Sequence, residues 1–153
     1  MLPLEIRKMT MEDLEQVMEI EHSSFPYPWS RASFEKELRH NGYACYFVAG
    51  LSKNGQVVGY AGSWILFGEA HITTLAVHPS YRRAGIGSAL LNSLMETACS
   101  LGACQVFLEV RDSNGAARTL YEKFGFKIKG VRKKYYLDED ALVMTRDFSP
   151  AGP

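Results

Sequence analysis

The stretch L-A-V-H-P-S-Y-R-R-A-G-I-G-S-A-L-L, residues 75–91, joins the end of a predicted strand to the start of a predicted helix. Pro79 cannot donate a hydrogen bond to a neighbouring strand, so the strand should end near His78. Apolar residues then recur at helical spacing. Gly85 and Gly87 allow a tight bend and a close approach of a ligand to the backbone. Because the N–H groups of the first helical turn point into that bend, this corner suits a phosphate or pyrophosphate.

The spacing of these glycines excludes two other phosphate-binding loops. A dinucleotide-binding loop needs a third glycine at position 90, where this chain has leucine. A Walker loop needs lysine after its second glycine, whereas Ser88 follows Gly87 here. The pattern R-x-x-G-x-G directly after L-A-V-x-P instead resembles the acyl-CoA loop of the GNAT family of N-acetyltransferases. The alternative is a helix-entry turn that binds no ligand.

The composition predicts one globular domain, since 46% of the 153 residues are hydrophobic and 22% are charged. Seventeen basic residues balance seventeen acidic ones, so no net field favours nucleic acid or an anionic membrane. Three cysteines without C-x-x-C spacing indicate neither a disulfide framework nor a metal site, and they favour a reducing compartment. The sequence shows no signal peptide and no apolar run long enough to span a bilayer. We expect a cytoplasmic domain over residues 1–147 and a frayed tail over 148–153.

Apolar periodicity and turn residues predict the order β-α-α-β-β-β-α-β-α-β-β. The strands are expected at residues 4–9, 43–51, 56–66, 70–77, 104–110, 127–136 and 141–146. The helices are expected at residues 11–23, 31–39, 85–101 and between positions 114 and 125. A strand–helix–strand passage through residues 70–110 predicts parallel pairing there and antiparallel pairing elsewhere. The fold class is therefore α/β, with a central mixed sheet flanked by helices.

Glu109 is an anomaly within the apolar strand C-Q-V-F-L-E-V. A carboxylate buried there without a partner would destabilise the fold by several kcal/mol, about 2–7 for a polar group alone. Alternation along the strand places it on the same face as Phe107 and Arg111. It is either part of an ion pair, with Arg111 or with a neighbouring strand, or a functional group. Beside an acyl-CoA loop the second interpretation is favoured, because acetylation of an amine requires a group that accepts a proton.

Tyr121 lies on the apolar face of the next predicted helix, four residues after Ala117. It is either a core tyrosine or a proton donor to a departing thiolate, and the sequence alone leaves both open. Asn114, at the start of the same helix, is either an N-cap or a hydrogen-bonding contact to a ligand.

Further motifs extend the family resemblance over residues 4–146. F-P-Y-P-W-S at 25–30, L-E-V-R-D-S-N-G-A-A-R-T-L-Y-E-K-F-G-F at 108–126, R-K-K-Y-Y at 132–136 and E-D-A-L-V-M at 139–144 are similar to the RimI group of GNAT enzymes. Members of that group acetylate the N-terminal alanine of the eighteenth small-subunit ribosomal protein. The resemblance implies a GNAT fold, acetyl-CoA as co-substrate and a protein N-terminus as acceptor. From the balanced charge and the short apolar runs we expect no direct binding of nucleic acid or membrane.

The resemblance also implies roles for individual residues. Glu109 resembles the proton acceptor of the group, and Tyr121 resembles its proton donor. In this family one strand end pairs with the pantetheine of acetyl-CoA, and the matching residues here are Leu75, Ala76 and Val77. The residues that match the other acetyl-CoA contacts of the family are Arg82, Arg83, Ala84, Gly85, Ile86, Gly87, Ser88 and Asn114.

The acceptor is less well defined than the donor. An α-amine has a pKa of about 7.7–8.0 and a lysine about 10.4, so the α-amine loses its proton more easily at neutral pH. Other protein N-termini, lysine side chains and small amines remain alternatives, as does an acyl-CoA-binding module without turnover. Tyr27, Trp29, Tyr135 and Tyr136 either wall a peptide groove or serve in packing. The basic run at 127–134 is either a solvated strand face or an attractor of substrate.

Overall fold

The computed structural model describes residues 3–148, which form one β-sheet and four α-helices. The strands are β1 (Leu4–Lys8), β2 (Ala44–Leu51), β3 (Val57–Leu66), β4 (Glu69–Val77), β5 (Gln105–Arg111), β6 (Lys127–Arg132) and β7 (Ala141–Asp147). The helices are α1 (Leu14–Ser24), α2 (Arg31–His40), α3 (Ile86–Ser100) and α4 (Gly115–Lys123). Short 3-10 turns at Met11–Asp13 and Pro79–Tyr81 precede α1 and α3. The predicted α/β class is confirmed.

The sheet has the strand order β1-β2-β3-β4-β5-β7-β6. β4 and β5 pair in parallel across the α3 crossover, as the sequence predicts. Every other pair of neighbouring strands in the described part of the chain is antiparallel. The last strand, β7, returns between β5 and β6, so the final hairpin extends the sheet beyond β5.

Both faces of the sheet are covered by helices. Along β2, Tyr46 and Val48 point into one cluster of buried side chains, whereas Ala49 and Leu51 point into another, because successive strand residues face opposite sides. α1 and α2 pack in the first cluster, and α3 and α4 pack in the second. Within residues 3–148, no helix has the length and apolar character needed to cross a bilayer.

β4 and β5 separate partway along their length. Their pairing ends at Ile72 and Leu108, although both strands continue. At the same point Thr73 is an extra residue in β4 that has no partner on β3, which makes a β-bulge. Since a bulge bends its strand, the carboxyl end of β4 leaves β5 and an opening forms in the middle of the sheet.

The final hairpin differs from the sequence expectation. The predicted strand 127–136 ends at Arg132, because the chain turns at Lys134, whose φ is 52°. The Lys134 N–H donates to the carboxylate of Asp140 at 2.8 Å and fixes this turn. Tyr135 and Tyr136 therefore leave the sheet and become available to the opening beside β5.

Phe148 is anchored, although the sequence places it in the tail. Its backbone N–H donates to the carbonyl of Cys104 at 2.8 Å, and its ring packs against the core. Residues 149–153 of the predicted tail lie outside the described residues.

Candidate active site

The opening between β4 and β5 forms a cavity of about 380 Å³, a size typical of small-molecule sites. Its walls come from both separating strands: Ile72, Thr73, Thr74 and Leu75 on β4, and Leu108, Glu109, Val110 and Arg111 on β5. Further side chains come from α1, α4 and two loops: Glu21, Ser24, Phe25, Pro26, Tyr27, Trp29, Asn114, Ala117, Tyr121, Tyr135, Tyr136 and Leu137. The cavity therefore lies where the sheet is incomplete.

The carboxylate of Glu109 lies in this cavity with only 6% of its side chain exposed. Its Oε1 is 2.6 Å from Nε2 of His71 on β4, and its Oε2 is 3.5 Å from Nε of Arg132 on β6. Burial acts to raise the pKa of this carboxyl, but the hydrogen bond and charge of His71 and the charge of Arg132 outweigh it. The net pKa lies below its usual value, so Glu109 is ionised at neutral pH.

Arg111 is not the ion-pair partner of Glu109. Its Nη1 instead lies 2.6 Å from Asp138 and 3.0 Å from Glu139, which join the end of β5 to the last turn. His71 lies on β4, which neighbours β5, and so corresponds to the neighbouring-strand alternative, whereas Arg132 lies on β6, beyond β7.

The imidazole of His71 is fixed between aromatic rings. It stacks on Phe107 with ring centroids 4.4 Å apart and planes 4° apart, and Trp64 meets it edge-on at 5.9 Å. This packing holds the ring where its Nε2 reaches Glu109. The sequence analysis did not identify His71, because only the parallel register of β4 and β5 places it opposite Phe107.

Tyr121 lines the cavity from α4 and is 7% exposed. Its ring packs against Phe126, with centroids 5.7 Å apart. Burial, with a smaller effect of Tyr136, raises the pKa of the Tyr121 hydroxyl well above its usual value. Tyr121 therefore keeps its proton at neutral pH, and it is both a core residue and a cavity residue.

The loop before α3 has the conformation that its glycine predicts. Gly85 has φ 79° and Arg83 has φ 66°, and α3 begins at Ile86. The first-turn N–H groups of a helix have no acceptor within the helix, so they are free for a ligand. A Cβ on Gly85 would meet nothing within 4 Å, which leaves open space directly against this backbone.

The other predicted donor-binding residues divide into side-chain and backbone candidates. Arg82, Arg83 and Ser88 are exposed, and Nε of Arg82 donates to the Val77 carbonyl at 3.2 Å. The side chains of Ala84, Ile86 and Ala76 pack into the apolar core, so only their backbone is available to a ligand. Leu75 lines the cavity, whereas Val77 and the residues of the loop before α3 are not part of its lining.

Asn114 caps α4, as one of its two sequence interpretations predicts, and it also lines the cavity. Its Oδ1 accepts a hydrogen bond from the Ala117 N–H at 3.1 Å, as an N-cap does. The same residue borders the cavity wall. Its capping bond leaves the side-chain amide N–H groups available.

Four aromatic side chains, called the aromatic wall below, line part of the cavity. Tyr27, Trp29 and Tyr135 all border it, and Tyr136 joins them. The Tyr136 hydroxyl donates to the Glu109 carbonyl at 3.3 Å, and the guanidinium of Arg111 lies 4.3 Å from its ring centroid. The turn at Lys134 brings these two tyrosines to the cavity from the end of β6.

Thr73 and Glu21 are among the cavity residues that the sequence analysis missed. Thr73 forms the bulge of β4, and nothing in the local sequence marks it. Glu21 does carry a signal, because it falls seven residues after Leu14 and four after Val17, on the buried stripe of α1. An acidic residue at that position on an apolar stripe indicates a special role.

Comparisons with known proteins agree with this geometry. Residues 14–126 match the Acetyltransferase (GNAT) family. A Bacillus subtilis (strain 168) relative, provisionally named a ribosomal protein bS18-alanine N-acetyltransferase, is 45% identical over 91% of this chain and 92% of its own. The ribosomal protein bS18-alanine N-acetyltransferase of Escherichia coli K12 is 34% identical over 94% and 97%. The crystal structure of the Escherichia coli ribosomal-protein-S18-alanine N-acetyltransferase superposes with a TM-score of 0.86 at 33% identity, covering 97% and 96%. The chain therefore belongs to the GNAT family of acetyltransferases.

Proposed function

We propose that this acetyltransferase transfers an acetyl group from acetyl-CoA to the N-terminal amine of a protein, with the N-terminal alanine of ribosomal protein bS18 as its acceptor. The observation that carries the proposal is that Glu109 and Tyr121 face one cavity, in the opening between β4 and β5. The names of the two relatives described above support the acceptor. Because that acceptor is a ribosomal protein, we infer that the enzyme acts in the cytoplasm.

The donor side of the site fits acetyl-CoA, which supplies the activated acetyl group as a thioester. The first-turn N–H groups of α3 suit the pyrophosphate, because helix N-termini bind anions. Exposed Arg83 adds positive charge at the same place. Beyond Ile72, β4 has no paired strand on its β5 side within the described residues, so the backbone of Leu75 and Ala76 is available to the pantetheine amides. The Val77 carbonyl accepts from Arg82, which would have to release it.

Glu109 is proposed as the proton acceptor. An α-amine with a pKa of about 7.7–8.0 is largely protonated at neutral pH and must lose a proton before it attacks a thioester. Glu109 is ionised there, and His71 and Arg132 hold its carboxylate in place. A positioned general base of this kind accelerates transfer by about 10²–10⁴-fold.

Tyr121 is proposed as the proton donor. A tyrosine hydroxyl has an ordinary pKa of about 10 and therefore carries its proton at neutral pH, and burial raises the pKa of Tyr121 further. A thiolate leaving group needs a proton, and Tyr121 borders the same cavity as Glu109. No protein nucleophile is needed in this direct transfer, and the three cysteines lie outside the set of residues that line the cavity.

Mass spectrometry of peptides after incubation with acetyl-CoA tests the acceptor. We expect an acetyl group on the α-amine of a peptide that begins with the N-terminal alanine of bS18. A matched peptide with a blocked N-terminus and one internal lysine should remain unmodified. Acetylation confined to lysine side chains would contradict the proposal, and so would the absence of turnover on both peptides.

A further inference from the structure

Glu21 is a buried carboxylate that the proposed mechanism does not use. It lies near the carboxyl end of α1 and is 3% exposed. It borders the same cavity as Glu109, next to the aromatic wall that contains Tyr27 and Trp29. The cavity thus contains two carboxylates, on different elements.

Both oxygens of Glu21 accept hydrogen bonds. Oε1 accepts from the hydroxyl of Tyr60, and Oε2 accepts from the backbone N–H of Trp29 at 2.9 Å. Burial, and then the negative charge of Glu21, raise the pKa of Tyr60 far above its usual value, so Tyr60 keeps its proton and acts as the donor. Both oxygens of Glu21 therefore act as acceptors, which is the role of a carboxylate without a proton.

Glu21 has no positive partner among the described residues 3–148. None of the ion pairs formed within residues 3–148 includes it, whereas Glu109 has His71 and Arg132. Its place near the carboxyl end of α1 adds to the cost of the charge, because that end of a helix is partly negative. Buried charges are normally paired, so the missing partner of Glu21 is expected in the cavity itself.

We propose that Glu21 binds the protonated N-terminal amine of the acceptor. This inference rests on the proposed function, since it concerns the acceptor of that reaction. At neutral pH an α-amine with a pKa of about 7.7–8.0 is mostly an ammonium ion, which is the cation that the site lacks. Glu21 therefore contributes to binding of the acceptor, and Glu109 then removes the proton.

Glu21→Gln tests the inference, because glutamine keeps the size of the side chain and removes its charge. We expect the KM for the acceptor peptide to rise about tenfold or more, the KM for acetyl-CoA to stay constant and kcat to change little. Glu37→Gln is the matched control: Glu37 also accepts from a tyrosine hydroxyl, that of Tyr46, but it borders a different cavity. An unchanged acceptor KM in Glu21→Gln would overturn the proposal.

Binding to the wild-type enzyme gives a second test that needs no variant. Calorimetry with CoA present compares one peptide in three forms, with a free α-amine, with an acetylated α-amine and with a hydroxyl in place of the amine. We expect the charged form to bind about tenfold more tightly than either neutral form. Equal affinity for all three would refute the role of Glu21, whether or not Glu21→Gln folds.

The two proposals fail in different ways. N-terminal acetylation by the wild-type enzyme together with equal binding of the three peptides refutes only the role of Glu21. A peptide that is modified on lysine alone refutes the proposed function. If the wild-type enzyme prefers the charged peptide and Glu21→Gln does not, the result supports both proposals.

Discussion

At the scale of single residues, the site depends on how firmly its neighbours hold the carboxylate of Glu109. Glu109 is ionised because His71 and Arg132 stabilise its negative charge. A base with a lowered pKa is always ready to accept a proton but holds that proton weakly, so its position must compensate for its basicity. The stacked ring of His71 provides that position.

Replacement of Glu109 should lower the rate of acetyl transfer without changing the affinity for CoA. In Glu109→Gln we expect kcat to fall by about 10²-fold or more, because no group accepts the proton of the amine. The affinity for CoA should remain that of the wild type, as measured by calorimetry. Wild-type kcat in this variant would show that Glu109 is not the base.

Loss of the His71 hydrogen bond should change the titration of Glu109. His71→Phe keeps an aromatic ring between Phe107 and Trp64 but cannot donate a hydrogen bond or carry a charge. Because the carboxylate loses this stabilisation, the pKa of Glu109 should rise, and kcat should fall. Carbon NMR of the labelled carboxyl measures the shift; a pKa equal to or below that of the wild type would contradict it.

Sequence patterns located some of these residues and not others, for physical reasons. Alternation along one strand predicts that Glu109 and Phe107 share a face, and the structure has them so, because period two is a local property. His71 lies 38 positions from Glu109, and only the register of two parallel strands brings them together. The individual roles of Glu109 and Tyr121 stay predictions until the variants are measured.

At the scale of elements, the entrance to α3 depends on one backbone conformation. Gly85 has φ 79°, which a β-branched residue adopts only with strain. In Gly85→Val we expect the CoA dissociation constant to rise about tenfold, because the turn that presents the first N–H groups of α3 is distorted. Isothermal titration with CoA measures this effect.

Gly42→Val is the control for that change. A Cβ on Gly42 also meets nothing within 4 Å, but its φ is not in the left-handed region. We expect its CoA affinity to equal that of the wild type. Equal CoA affinities for the wild type, Gly85→Val and Gly42→Val would show that the loop containing Gly85 does not bind the donor.

The order of helices and strands could be predicted because each helix or strand is marked by residues within or next to it. Ser30 and Asn114 accept hydrogen bonds from their helices as N-caps, and Gly55 has a positive φ in the turn between β2 and β3. The end of β6 could not be predicted, since Lys134 turns the chain through a hydrogen bond to Asp140, on the far side of the loop. The placement of Tyr135 at the cavity follows from that non-local contact.

At the scale of the whole molecule, the separation of β4 from β5 divides the sheet into two parts. Strands β1–β4 and β5–β7 are joined by parallel pairing over only four residues, from Glu69–Ile72 to Gln105–Leu108. Bound donor that pairs with the free edge of β4 would add hydrogen bonds at this junction. It would act as an additional short strand between the two parts.

Hydrogen exchange of the backbone amides of β4 should therefore show whether CoA pairs with β4 at this junction. We expect alternate amides in residues 73–77 to exchange rapidly in the free protein and to be protected by CoA, because their N–H groups gain acceptors. Amides of β2, paired on both sides, serve as the internal reference. Unchanged exchange in residues 73–77 at saturating CoA would contradict pairing along this edge.

A donor bound at this separation would also stabilise the fold. A ligand that binds only the folded chain stabilises it by RT ln(1 + [L]/Kd), which is about 2.7 kcal/mol at a concentration of one hundred Kd. If the donor bridges the two parts of the sheet, we expect the protein to resist unfolding and proteolysis better when acyl donors are abundant than when they are scarce.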